Sequence, residues 1–273
     1  MTSLDKKAQA GELKVFSVGG VKSVMMKLGD DFQSATGERA QFTFGAIGKL
    51  QEKMEAGELP DVLIATSQAI DKAEQQGTIV PGSSMEVGRT GVGVAVREGA
   101  PAPDISTPNA LRQALLNAKS LAYSDPKTGA ASGVATAKVL AHLGIADQVR
   151  DKSVFSTKGP VGELVAQGQV ELGIQQITEL LPVKGITLVG PLPPELQTVT
   201  VYRAAVLTGT AKPEISANFI RFITSPKVAP MFLAAGFGRQ WSKTELMYPN
   251  SSQMWKRRTI NAYTRNVLSK REK

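Results

Sequence analysis

The chain has 273 residues, 42% of them hydrophobic and 21% charged, with no cysteine, one histidine and a formal charge of +8. Disulfides, thiolate metal sites and thiol nucleophiles are excluded, and a lone His142 supports neither a zinc site nor a Ser-His-Asp triad. From Arg239 onward there are nine Lys or Arg against two Glu, a surplus of seven that leaves the preceding body at +1. Nucleic-acid binding is therefore not expected of the body. The basic stretch 239–273, with Trp241 and Trp255, reads as a tail: an amphipathic, nucleic-acid or membrane-surface segment, or sequence foreign to the body. There is no P-loop, no GxGxxG and no apolar run of about 18 residues. No metal and no cofactor is expected. The opening "MTSLDKKAQAGELKVF" has no apolar signal core, so a complete chain is expected in the cytoplasm and a mature form in the periplasm.

In chain order, "ELKVFSV" reads as a strand ending at Gly19-Gly20. Val21, Val24, Met25, Leu28 and Phe32 then recur at helical spacing. "ERAQFTFG" is a second strand, "GKLQEKMEAG" a short helix closed by Gly57, and "PDVLIAT" a buried strand. "SQAIDKAEQQG" predicts a helix capped by Ser67. This β-α-β-α-β-α series with short joints predicts a parallel sheet flanked by helices.

After Gly88, "TGVGVAVREGAPAPDIS" reads as an extended strand running into a Pro-rich stretch. "TPNALRQALLNA" is a helix with Pro at its first position, "KSLAYSDP" a strand and turn, and "SGVATAKVLAHLGI" a helix. "VGELVAQG" is a helix, "VELGIQQ" a strand, and "ITLVGPLPPEL" closes this second α/β unit. "QTVTVYRAAVLTG" is a long strand, and two helices follow in "PEISANFIRFITSPKVAPMFLAAGFG". Two α/β units bridged by two long strands imply a bilobed α/β protein with a cleft. Ligands of open α/β sheets sit beyond the carboxyl ends of strands. The loops after Val18, Phe44, Tyr123 and Ile174 are therefore the expected binding loops.

The segments "LKVFSVGGV", "FTFGAIGKLQEKMEAGELPDVLIAT", "LAYSDPKTGAASGVATAKVLAHLGI", "GELVAQGQVELGIQQITEL" and "FIRFITSPKVAPMFLAAGFG", in this order, resemble the type II periplasmic solute-binding proteins of the molybdate-binding group. That group also includes aconitate isomerase-like members. The resemblance covers roughly 12–238. It implies a bilobed fold with two parallel-rich sheets joined by two crossover strands: lobe 1 from 12–92 and 198–238, lobe 2 from 93–197. It further implies a monomer that closes on a small anion and delivers it to an ABC-type membrane permease. In the molybdate binders a first-loop Ser and a second-loop Ser cluster hold the oxyanion. Here they align with Gly20 and with Ala46, Ile47 and Gly48, and a late ligand Tyr falls near Gln176. The missing hydroxyls point away from tetrahedral molybdate or tungstate and toward an organic carboxylate. The aconitate isomerase-like members make an enzyme that moves an allylic proton the rival expectation, and a molybdate or tungstate binder using N–H groups alone is the third.

Read from the residues, Gly19, Gly20, Gly45 and Gly48 offer a ligand close approach to backbone, or simply form tight turns. Lys22 and Lys49 fall just inside the following helices, where a cation opposes the dipole unless an anion compensates; the alternative is a solvated surface. Ser132 reads as the cap of a helix starting at Gly133 or Val134, able also to meet a carboxylate, while Asp125 reads as a turn former. Lys158 and the N–H groups of Val161 and Gly162 form a second polar loop. One of Gln175 and Gln176 is expected to face the ligand, and the resemblance selects Gln176. Tyr202 and Arg203 point to opposite faces, so one of them reaches the ligand or both lie at the surface. If there is catalysis, Glu179 or Lys49 is the candidate proton carrier; Glu179 otherwise serves as a first-turn helix carboxylate.

Overall fold

The computed structural model describes residues 12–156 and 159–238. In chain order the elements are β1 (Glu12–Val18), α1 (Lys22–Thr36), β2 (Arg39–Gly45), α2 (Ile47–Glu55), β3 (Val62–Thr66), α3 (Ser67–Gln75), β4 (Met85–Thr90) and β5 (Val92–Arg97). There follow α4 (Pro108–Asn117), β6 (Leu121–Ser124), α5 (Ala131–His142), α6 (Ala146–Arg150), β7 (Ser153–Ser156), α7 (Val161–Ala166), β8 (Leu172–Gln176) and α8 (Ile177–Leu180). β9 (Ile186–Pro191), β10 (Thr200–Val206), α9 (Pro213–Ile223) and α10 (Ala229–Ala234) complete the described chain.

The chain forms two compact units. Of the described residues, the first unit holds 12–87 and 201–229. Its sheet has the order β2-β1-β3-β10-β4. β1 runs parallel to β2 and β3, and β10 runs antiparallel to β3. Val18 pairs with Gly45, so β1 and β2 end level and the turns leading into α1 and α2 are neighbours. α1 buries Val24, Met25, Leu28 and Phe32 at the spacing that defines a helix face, and stops where Gly37 turns left-handed at φ 79°.

The second unit holds 88–200 and 230–238. Its sheet has the order β7-β6-β8-β5-β9, with β6 parallel to β7 and β8, and β5 antiparallel to β8 and β9. Tyr123, Leu172 and Ile174 face Ala135, Val139 and Leu140 of α5 in the larger core. Ala122 faces Val161 and Val165 of α7 in a smaller one. Alternation along β8 follows: a Cβ at Gly173 would lie 2.6 Å from Val165, so α7 packs on that face. The same alternation sends Gln175 to the α7 face and Gln176 to the α5 face.

Both sheets are mixed, a parallel core of three strands with antiparallel neighbours. The segment 230–238 was expected with the first lobe and belongs to the second unit. Its aromatic residues explain this. Phe232 and Phe237 are buried edge to face at 5.3 Å, Phe237 lies against Gly88, and the Gly238 N–H donates to the Arg89 carbonyl at 2.9 Å. α3 is capped by Thr66 rather than Ser67, through a bond from the Ala69 N–H. β4, α6, β7 and α8 were not anticipated; each is six residues or shorter. The basic tail, Thr157 and Lys158 lie outside the described residues.

Gly133 lets α5 start against the end of β6, because a Cβ there would lie 2.3 Å from the Ser124 carbonyl oxygen. That neighbour is backbone and yields little. Gly133→Ala is expected to lower the unfolding free energy by about 1–3 kcal/mol in urea titration, despite the better helix propensity of alanine.

Candidate functional site

In the first unit, β1 passes through a single 3-10 turn, Gly19–Val21, into α1. Neither the turn nor the helix has a side-chain cap or an acidic residue in its first turn. α2 starts after Ala46 in the same way, uncapped and without an acid. Its first backbone bond runs from the Leu50 N–H to the Ala46 carbonyl. The N–H groups of Ile47, Gly48 and Lys49 therefore have no intrahelical acceptor, and the helix dipole adds partial positive charge there. α3 and α4 differ: Thr66 and Thr107 hydroxyls accept from their first turns.

Gly20 is glycine for a local reason. A Cβ on it would lie 2.0 Å from the hydroxyl oxygen of Tyr202, whose side chain is 1% exposed. A serine at this position would require the Tyr202 ring to shift. The close approach expected between Gly20 and a ligand is, in the structure, an approach between Gly20 and Tyr202. Arg203, on the opposite face of β10, pairs with Asp71 of α3 and is not a ligand group. Lys49 also departs from expectation: its ammonium pairs with Glu52 at 2.8 Å on the solvent side, both groups about two-thirds exposed. Lys22 lies over the Phe44 ring at 5.6 Å, which offsets part of its unfavourable position at a helix start.

In the second unit, α5 starts at Ala131 after an uncapped Ala130, again without a first-turn acid. Ser132 is therefore inside the first turn and does not cap, a correction to the sequence reading. The first helical bond joins the Val134 N–H to the Ala130 carbonyl at 3.0 Å, leaving the N–H groups of Ala131, Ser132 and Gly133 without intrahelical acceptors. The buried hydroxyls of Ser132 and Ser124 lie 3.2 Å apart. One proton joins them, and the other is left to donate elsewhere. Asp125 accepts from the Lys127 N–H at 2.9 Å and forms its turn as read. His142 lies in the last turn of α5, where a cation suits the dipole.

The two glutamines at the end of β8 divide their work. Gln175 Oε1 accepts from the Val161 N–H at 2.8 Å and closes the start of α7. Val161 is thereby corrected: its N–H is used within the fold. Gly162 is a packing glycine, with a Cβ there 3.0 Å from Val183. Gln176 is 1% exposed, its Nε2 lies 2.8 Å from Thr200 Oγ1, and its buried Oε1 has no partner among the described residues. Glu179 sits three residues into the turn that Gln176 opens, and its carboxyl accepts the Gln176 backbone N–H. The residue as a whole is only partly buried, yet its carboxyl is desolvated. That burial pushes the pKa up from 4.5 to about 7, against the lowering effect of the hydrogen bond. The carboxyl's own surroundings govern its titration, so the desolvation is the relevant measure.

Sequence reasoning missed Thr200 and the role of Ser124. Thr200 is a polar residue opening an apolar strand, and its partner Gln176 is far away in the chain. No local pattern signals that pairing. Among the described residues, no cluster of three or more His, Cys, Asp or Glu could hold a metal.

Uncapped helix starts thus follow strand ends in both α/β units, each built on a mixed sheet of five strands. Residues 13–238 match the family described as bacterial extracellular solute-binding protein, and the chain belongs to that family. It is similar to the aconitate isomerase of a Pseudomonas species, 31% identical over 223 residues that cover 80% of this chain and 84% of that protein. It is also similar to the molybdate-binding protein ModA of Escherichia coli strain K12, 25% identical over 242 residues, 84% of this chain and 90% of ModA. The solved periplasmic molybdate-binding protein of Azotobacter vinelandii superposes with a TM-score of 0.70 at 22% identity, covering 84% of this chain and 99% of that one.

Because the folded Glu179 carboxyl holds its proton more tightly than an unfolded one, its stability contribution is full below about pH 4.5 and is lost as pH rises to about 7. The unfolding free energy of the parent, taken relative to Glu179→Gln, is expected to fall across that window by on the order of 1–3 kcal/mol. Denaturation curves at pH 4.5, 6 and 8 measure it. A flat difference would mean that the carboxyl is solvated.

Proposed function

We propose that the protein is a periplasmic receptor that binds a small organic carboxylate and presents it to an ABC-type permease. The observation that carries this reading is the set of helix starts, α1, α2 and α5, that lack both side-chain caps and first-turn acids. Such N–H groups favour an anion, through the dipole and through the hydrogen bonds they lack. Ser124, Ser132 and Gln176 add polar side chains at the corresponding end of the second sheet.

The choice of carboxylate rests on what the second loop offers. Ala46, Ile47 and Gly48 supply N–H groups and no hydroxyl. A planar carboxylate is satisfied by a few in-line N–H donors, each charge-assisted bond worth about 1.5–3 kcal/mol. A tetrahedral oxyanion would turn oxygens toward the Ala46 and Ile47 side chains, at about 1–3 kcal/mol for each unpaired atom. The likeness to an aconitate isomerase supports a di- or tricarboxylate. Isothermal calorimetry with citrate, cis-aconitate, trans-aconitate, molybdate and tungstate tests this. At least one carboxylate is expected to bind about tenfold or more tighter than either metallate. Molybdate binding above every carboxylate would overturn the assignment.

A second reading, an isomerase that moves an allylic proton, is favoured by Glu179. A carboxyl with a pKa of about 7 exchanges protons readily at neutral pH, and it adjoins Gln176. In this reading Glu179 takes the proton as a carboxylate, so turnover of cis-aconitate followed by NMR rises with pH through about 7. Glu179→Gln is expected to slow it by about a hundredfold or more with binding retained. Binding without any turnover by the parent protein leaves the receptor reading alone.

A further inference from the structure

Three glutamines surround the end of the second sheet, and two bond to backbone groups. Gln175 Oε1 takes the Val161 N–H, and Gln197 spans Val92, accepting from its N–H at 2.8 Å and donating to its carbonyl at 2.9 Å. Gln176 keeps a fully buried amide oxygen without a partner among the described residues, in a residue 1% exposed. It stands on the α5 face of β8, at the strand end where the α5 N-terminus and the Ser124–Ser132 pair also lie, since β6 and β8 are adjacent and parallel.

The group that holds the other end is the Thr200 hydroxyl. A hydroxyl can accept or donate, and a half-turn of an amide exchanges its oxygen and nitrogen with little change in shape. With Nε2 toward Thr200, three are left wanting: the Oε1 acceptor, the second Nε2 proton and the hydroxyl proton. With Oε1 toward Thr200, the hydroxyl proton is used, and only the two Nε2 protons remain. The second arrangement leaves fewer donors and acceptors unpaired, and it presents donors where α5 already presents N–H groups.

We infer that Thr200 is a positioning residue whose hydroxyl donates to Gln176 Oε1, so that the Gln176 NH2 group faces the bound anion as a donor. This rests on the anion-receptor reading above and specifies the polarity of one of its contacts. A solute recognised here needs an acceptor at this point, which an ammonium cannot supply.

The test has a ligand-free arm and a binding arm, both on the full chain. In 15N-edited NOE spectra without ligand, Gln176 side-chain NH2 protons are expected to show weak or no cross-peaks to the Thr200 β and γ protons. Strong cross-peaks would overturn the inference whatever the solute proves to be. In calorimetry, the probe is whichever of citrate, cis-aconitate and molybdate binds the parent protein best. Thr200→Val is expected to weaken it about tenfold, Thr200→Ser to restore it to within about threefold, and Gln176→Glu to lose about a hundredfold or more, because a second anion then faces the first. Affinity retained in Gln176→Glu would mean that an acceptor, not a donor, faces the solute, and would overturn the inference. Binding of molybdate alone refutes the carboxylate reading but leaves the variants interpretable with molybdate. If no probe binds, the NOE arm decides alone.

Discussion

Backbone N–H groups without acceptors are costly inside a fold, and helices ordinarily cover theirs with a capping side chain. This protein does so for α3, α4 and α7, with Thr66, Thr107 and Gln175. It does not do so for α1, α2 and α5. The contrast within one chain is the constraint from which the functional reading follows. α1, α2 and α5 each follow a strand of a parallel core, β1, β2 and β6, at the strand end where ligands of α/β sheets are held. The absence of acids from the same first turns acts in one direction with the missing caps, since an aspartate there would satisfy the donors internally.

Close packing by glycine sets the geometry of these helix starts. Gly133 allows α5 to approach the Ser124 carbonyl, which brings Ser124 and Ser132 within reach of one another. Gly20 leaves room for the Tyr202 hydroxyl, so the first loop is closed by an aromatic side chain from β10. A hydroxyl is thus present at that loop, carried by a distant strand and not by the loop itself. A serine in the loop would require that ring to move. Polar side chains that looked available for ligand are distributed differently: Arg203 pairs with Asp71 of α3, Lys49 pairs with Glu52 of its own helix, and Gln176 remains.

The order of strands and long helices was legible because hydrophobic periodicity and Gly or Pro punctuation are local signals. Val24, Met25, Leu28 and Phe32 announce a helix face wherever they occur, and "PDVLIAT" announces a buried strand. Short elements such as β7 and α8 contain too few residues to show a period. The placement of 230–238 was illegible because Phe232 and Phe237 choose their partners by tertiary packing against Gly88. In the site, the glycine turns after β1 and β2 could be named from chain position. The pairings Gly20 with Tyr202, Gln175 with Val161 and Gln176 with Thr200 could not, since each joins residues from different elements. Reading Ser132 as a cap failed by two residues, which is within the usual uncertainty of a helix boundary but reverses the role of its hydroxyl.

The central claim is that uncapped helix-start N–H groups hold a small anion. Backbone 15N–1H spectra during titration with cis-aconitate and, in parallel, molybdate test it most directly. The account predicts that amides at uncapped starts, Ile47, Gly48 and Lys49 of α2 or Ala131, Ser132 and Gly133 of α5, shift downfield to saturation. The capped amides Ala69 and Ala110 are expected to stay in place. Shifts confined to residues outside these helix starts would contradict it.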